Sequence, residues 1–415
     1  MAHRTTVILV VALSESIIGP HTPRIAEFAR SGRIRRLRPR FPAVTCTSQA
    51  CMLTGEPPAT HGIVGNGWYE RELAEIRFWK QPNAIVRAEK VWETARSRDP
   101  SITCAKLFWW YNMYSSADVS VTPRPQYKAD GRKIPDCYSH PPELRDELQA
   151  SLGRFPLFKF WGPAASVESS QWIAEATHHV ESRGDPTLTL VYLPHLDYAL
   201  QKFGPETPQA HAAAREIDAL VGLMIDRERE RGARVMLVSE YGIERVREDG
   251  SGPIHINRAL REAGLLRVRT EDGTELLDPG ASPAFAVADH QAAHVYVQQP
   301  HDLPRVRDLL SAIEGVEFVL DRDGQRDYGI AHDRSGDLTL SAEPGRWFTY
   351  YHWLDDDRAP DFARTVEIHR KPGYDPAELY IDPAFRFPKL AIARRLLMKR
   401  LGFRQPMDLV PLDAT

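Results

Sequence analysis

Cysteine is scarce in this 415-residue chain: four residues, Cys46, Cys51, Cys104 and Cys137, with no CxxC pair. That excludes a disulfide framework and a cysteine-based zinc module, and the four are expected as reduced thiols in a cytoplasmic protein. Cys46 and Cys51 can share one helix, where their spacing is too long for a disulfide. Long apolar runs are missing from the N-terminal region. Thr6 to Leu13 is apolar but far shorter than the roughly 20 residues that span a bilayer. It lacks a small-residue cleavage pattern, so a buried strand is expected there rather than a signal peptide. Charge of one sign is also missing. A net charge of −3 gives no footprint of a general nucleic-acid binder, and no nucleic-acid partner is expected. No repeat or low-complexity tract appears, and no linker forces two independent domains.

What is present is a globular composition, 42% hydrophobic and 26% charged, enough to bury one large core or two ordinary ones. Apolar β-branched runs alternate with amphipathic stretches, the pattern of a mostly parallel sheet flanked by helices. Strands are expected at 6–12, 101–107, 187–193, 233–239 and 284–297. Helices are expected at 22–31, 46–54, 88–97, 141–152, 169–182, 208–231 and 303–314. In the helix at 208–231, Ala212, Ile217, Leu220, Val221, Leu223 and Met224 approximate one apolar face.

Two regions break the alternation. Residues 108–140 open with Phe108-Trp109-Trp110-Tyr111-Asn112 and are rich in proline, which predicts a long loop acting as a cap insertion. Arg124, Lys128, Arg132 and Lys133 within it could grip a phosphate or carboxylate. Residues 340–385 are irregular and aromatic. Beyond them, 386–415 forms a basic tail whose amphipathic part, Lys389 to Arg404, could make peripheral contact with an anionic membrane or dock on a core or second subunit.

The most informative stretch is Pro42-Ala43-Val44-Thr45, followed by Leu53-Thr54-Gly55 and His61-Gly62-Ile63-Val64-Gly65-Asn66. It sets a threonine hydroxyl at the start of a helix, where backbone N–H groups can hold a phosphate. Read alone, Thr45 is better taken as a helix cap than as a nucleophile. The stretch resembles the nucleophile segment of the nucleotide pyrophosphatase/phosphodiesterase branch of the alkaline phosphatase superfamily, which attacks phosphorus with a threonine held between two metal ions. The resemblance covers roughly residues 6–300, with weaker support at 365–380, and implies an alkaline-phosphatase-like α/β fold in a single domain over 1–415.

The resemblance also implies metal ligands, and several have been replaced. An Asp and, four residues on, a His map to Asp197 and Gln201. A Ser-Asp-His-Gly-Met run maps to Ser239-Glu240-Tyr241-Gly242-Ile243, so Glu240 keeps a carboxylate and Tyr241 replaces the His. The first strand's Asp falls on Ala12, with Glu15 a remote substitute. A late His near Gly373-Tyr374-Asp375 corresponds to His369, or to Pro372 on a strict match. Ser48 stands where the family has an Asn that steadies a phosphoryl oxygen, while Asn66 is kept.

The expected metal set is therefore Asp197, Glu240 and His369, holding at most one divalent ion (Zn, Mn or Mg), or none. Thr45, Tyr241 and His290 are the candidate catalytic residues, with Ser48, Asn66 and Gln201 touching substrate. His290 and His294, four apart, would share one face of a strand or helix. His195 is placed near Asp197. The expected function is a hydrolase or transferase acting on a small phosphate ester or phosphodiester. The other reading is a metal-free relative that binds a ligand or partner, or does acid–base chemistry. The oligomeric state is open.

Overall fold

The run Thr5–Val10 is β-branched and apolar, and its residues from Ile8 onward are fully buried, as a strand covered on both faces must be. It is an interior strand, second from one edge, of a six-stranded sheet in the computed structural model, which describes residues 3–129 and 131–412. The strands are β1 (Thr5–Val10), β2 (Cys104–Leu107), β3 (Val119–Pro123), β4 (Cys137–His140), β5 (Leu188–Leu193) and β6 (Arg234–Val238). Their order is β6-β1-β5-β2-β3-β4, parallel except for the antiparallel edge strand β4. The mostly parallel sheet flanked by helices is the architecture the sequence predicts.

By its internal packing the chain divides into two units. The first comprises Met1–Pro39, Gln49–Glu56 and Gln81–Glu244; the second comprises Arg40–Ser48, Pro57–Lys80 and Arg245–Thr415. The first holds the six-stranded sheet and the helices Pro23–Ser31, Val91–Arg98, Glu143–Leu152, Val167–Gly184, His195–Phe203 and Pro208–Glu230.

The Pro208–Glu230 helix shows how the first unit is built. Thr207 caps it by accepting from the Ala210 N–H, and Pro208 supplies a fixed φ at its first position. Ala210, Ala213, Ala214, Ile217, Leu220, Val221, Met224 and Ile225 form the buried stripe, each large member contributing about 1.5–3 kcal/mol. Leu223, expected on that stripe, is 54% exposed, because it lies on the opposite arc. Asp218 lies on the inner face for a different reason. Its carboxylate accepts from the N–H groups of Arg24 and Ile25, closing the start of the Pro23–Ser31 helix.

The second unit carries a four-stranded antiparallel sheet in the order Ala284–Asp289, Ala292–Val297, Leu338–Ala342, Val316–Leu320. It also holds the hairpin Gly67–Glu70 with Glu75–Phe78. The expected single strand over 284–297 is therefore two strands. The chain reverses at His290, whose φ is 59°, and Asp289 pairs with Ala292. Residues 343–385 are largely irregular, as expected, and pack around Tyr350, Tyr351 and Trp353.

Residues 108–140 are not one loop. Val119–Pro123 and Cys137–His140 extend the main sheet, and only Gln126–Tyr127 with Lys133–Ile134 forms a separate small hairpin. The aromatic start of the segment is pinned from below. The fully buried Lys106 ammonium donates to the carbonyls of Trp110 and Tyr111, Asn83 donates to Tyr111, and Asn112 donates to the carbonyls of Lys106 and Val121. None of the four cysteines is in a disulfide. Burial pushes the Cys104 and Cys137 thiols up to about 12, which keeps them protonated and inert. Among the described residues no helix is long and apolar enough to cross a membrane.

Candidate active site

Thr45 is the first residue of the Thr45–Thr54 helix and is 5% exposed. The first backbone bond of that helix runs from the Ser48 N–H to the Val44 carbonyl, so Val44 is the capping position and Thr45 lies one residue inside. This removes the helix-cap alternative for Thr45. In the second unit the next N–H, that of Cys46, donates to Asn66 Oδ1 at 2.9 Å. Asn66 in turn donates through its own backbone N–H (2.7 Å) and its Nδ2 (2.9 Å) to the two oxygens of Asp289.

Asp289 Oδ1 also meets His290 Nδ1 at 2.9 Å. A carboxylate only accepts here, so Nδ1 carries a hydrogen. Cys46, Asn66, Asp289 and His290 thus form one line of hydrogen bonds, which begins one residue after Thr45 and runs back from the helix start.

The retained glycines explain why this line fits. A Cβ on Gly65 would lie 3.1 Å from Asp289 Oδ2, and one on Gly67 would lie 2.4 Å from the Phe78 ring. Gly373 lets the Gly-Tyr-Asp segment approach the strand that ends at Asp289. A Cβ there would meet Tyr350 at 2.5 Å and the Ala288 carbonyl at 3.0 Å. The Tyr374 N–H bonds that same carbonyl, and its ring stacks on His290 with centroids 3.5 Å apart. Asn66, expected to touch substrate, has both ends of its side chain committed within the protein, which makes it a positioning residue. Ser48 is buried one turn along the helix from Thr45.

In the first unit, strands β5, β1 and β6 lie side by side in parallel, so their carboxyl ends emerge together. Asp197 sits in the first turn of the His195–Phe203 helix after β5, and Glu240 and Tyr241 follow β6. Gln201, one turn on from Asp197, donates to Asp197 Oδ2 at 2.8 Å, and the Tyr241 hydroxyl donates to Asp197 Oδ1 at 3.3 Å. Glu240, 5% exposed, accepts from Gln49 Nε2 at 2.6 Å, while Gln49 Oε1 accepts from the Trp110 N–H at 2.7 Å. Gln49 belongs to the same helix that begins at Thr45, and sequence reading passed over it.

The donors do not fit a two-metal centre. The positions of two histidines hold Gln201 and Tyr241, and both donate hydrogen bonds to the carboxylate that a metal would need. Ala12, where the resemblance places the first strand's Asp, has φ 63° and a side chain that cannot ligate a metal. Among the described residues no three His, Cys, Asp or Glu side chains gather as a metal site. His369, expected as a ligand, has Nδ1 at 3.4 Å from the Phe78 carbonyl.

The remaining histidines sort by surroundings. His294, on the strand after the turn and not on one face with His290, is fully buried between the Val64 carbonyl and the Gly336 N–H. Burial keeps it below the ordinary histidine range. His195 points to Glu216 at 2.7 Å, and burial lowers it too. Arg124 borders a cavity of about 590 Å³ with Tyr114, Tyr127, Asp136 and Arg145, and its own side chain bonds the Met113 sulfur.

The model of the type I phosphodiesterase / nucleotide pyrophosphatase family matches residues 5–375. The chain belongs to this family. It is 22% identical over 235 residues to an uncharacterised pyrophosphatase/phosphodiesterase of Schizosaccharomyces pombe, covering 54% of this chain and 41% of that protein. It is 21% identical over 244 residues to mouse ectonucleotide pyrophosphatase/phosphodiesterase family member 1, covering 56% and 22%. The chain thus spans less than half the length of these curated relatives.

Among solved structures, phosphonoacetate hydrolase from Sinorhizobium meliloti, in complex with phosphonoformate, superposes with a TM-score of 0.61 at 19% identity, covering 86% of this chain and 84% of that one. Murine ectonucleotide pyrophosphatase/phosphodiesterase 5, as an inactive variant with AMP, gives 0.57 at 14% identity, covering 100% and 97%. These likenesses show that the chain shares the fold of these proteins. In this member Gln201, in the helix after β5, and Tyr241, after β6, stand where the resemblance implies histidines.

Proposed function

We propose that this protein is a phosphate-ester or phosphodiester hydrolase in which Thr45 attacks phosphorus without the family's two-metal centre. The observation that carries the reading is the placement of Thr45 as first residue of a helix whose start is held by Asn66 and, behind it, Asp289. His290 is assigned as the general base: it takes the Thr45 proton through water as Oγ bonds to phosphorus, and the ester oxygen leaves with that proton. Water then releases phosphate or its monoester from Thr45, with His290 as base again. Developing charge on the phosphoryl oxygens is met by the backbone N–H groups at the start of the helix.

Asp197, Gln201, Glu240 and Tyr241, within the first unit, are assigned as hydrogen-bonding groups rather than metal ligands, and the substrate class proposed is a small phosphate-containing molecule. The AMP complex of the murine relative supports that substrate class. Turnover of bis(p-nitrophenyl) phosphate and p-nitrophenyl phosphonate esters tests the reading. Thr45→Ala abolishes turnover and leaves the protein folded, and His290→Gln lowers kcat by about 10²–10⁴.

A second reading, ligand binding without turnover, is favoured by the Gln201 and Tyr241 bonds to Asp197. Under it, no ester is turned over and Thr45→Ala leaves affinity for AMP unchanged.

A further inference from the structure

The helix Pro388–Arg400 has no buried residue, and its two sides differ. At 100° per residue, Pro388, Ala391, Ile392, Arg395 and Met398 fall on one side, and these are the half-covered positions. Arg395 fastens that side. Its Nε donates to Asp408 at 2.7 Å, and its guanidinium lies over the Phe385 ring at 5.1 Å. The opposite side presents Leu390, Leu397 and Leu401, which are 68%, 56% and 63% exposed, and Phe403 beyond them is 58% exposed. Lys389 and Arg400 flank this stripe on one edge and Arg394 on the other, all exposed. Seven Lys and Arg residues, and no acidic one, fall between Asp382 and Asp408, in a chain whose net charge is −3.

We propose that this helix docks the protein on an anionic lipid surface, with the leucine stripe entering the headgroup boundary and the flanking cations at the phosphates. Charge complementarity selects the occupant. A second copy would bring one cationic helix against another. A lipid surface takes both a convex apolar ridge and the cations beside it, whose aliphatic stems lie along the apolar boundary while their heads remain in water. The helix is too short and too charged to span a bilayer, so the contact is peripheral and salt-sensitive.

The test is co-sedimentation of the full chain with vesicles of phosphatidylcholine alone and of phosphatidylcholine with one quarter phosphatidylglycerol. The expected result is binding to the anionic vesicles only, weakened by salt. Each of Lys389→Ser and Arg400→Ser lowers partitioning about fivefold. Leu390→Glu with Leu397→Glu abolishes it, while circular dichroism and thermal unfolding stay as in the parent, because both positions are exposed. Equal binding to neutral and anionic vesicles, no binding to either, or leucine variants that bind like the parent would each overturn the proposal. So would capture of poly-glutamate without vesicle binding, which would mark an acidic protein as the occupant.

Discussion

Replacing Gln49 by methionine keeps the shape of a fully buried side chain and removes two hydrogen bonds at once. The bond to Glu240 Oε1, at 2.6 Å, has a carboxylate as acceptor and contributes about 1.5–3 kcal/mol. The bond from the Trp110 N–H, at 2.7 Å, leaves a donor unpaired in the variant, costing about 1–3 kcal/mol. The sum is about 2.5–6 kcal/mol, which at about 2–4 °C per kcal/mol for a unit of roughly 200 residues lowers the melting temperature of the first unit by at least about 5 °C. The assay is thermal and urea unfolding of Gln49→Met, Glu240→Met and the double variant. A double-mutant cycle should return about 1.5–3 kcal/mol of coupling between the two positions. Gln49→Glu is the control: one oxygen still accepts from Trp110 while the other meets Glu240, so stability should fall at neutral pH and recover as pH drops and one carboxyl protonates. A cost below about 1 kcal/mol for Gln49→Met, or no coupling, would refute the hydrogen-bonded role of Glu240.

Further outcomes follow from other residues. Gly373→Ala would press a methyl into Tyr350 and the Ala288 carbonyl, costing about 1–3 kcal/mol and moving Tyr374 off His290, so stability and kcat should fall together. Gln201→His with Tyr241→His turns two hydrogen-bond donors beside Asp197 into zinc ligands, and calorimetry should detect Zn²⁺ binding that the parent lacks. Burial, reinforced by Glu228, raises Glu181 to about 8, although Arg231 bonds both carboxylates. Its folded pKa lies above its unfolded value, so this contribution to stability is full below the ordinary carboxylate range and is lost as pH rises through about 8. Glu181→Gln, which mimics the protonated form, should flatten that loss in urea unfolding between acid and alkaline pH.

Much of this was legible in the chain before the fold. β-branched runs gave the core strands of the parallel sheet, because burial on both faces demands continuous apolar sequence. The threonine, Asp197, Glu240 and Tyr241 could be read from local motifs at strand ends. Gln49 and Asp289 could not, since their partners lie 191 and 223 residues away and a buried glutamine or aspartate has no spacing signature. The two-residue turn at His290 was hidden inside an apolar run that reads as one strand.

The most direct measurement is turnover of bis(p-nitrophenyl) phosphate by protein stripped with a chelator, with metal content read by mass spectrometry on the same sample and Thr45→Ala in parallel. Turnover that survives stripping and disappears in Thr45→Ala is the predicted result. Turnover lost on stripping and restored by Zn²⁺, Mn²⁺ or Mg²⁺ would contradict a metal-independent Thr45 mechanism.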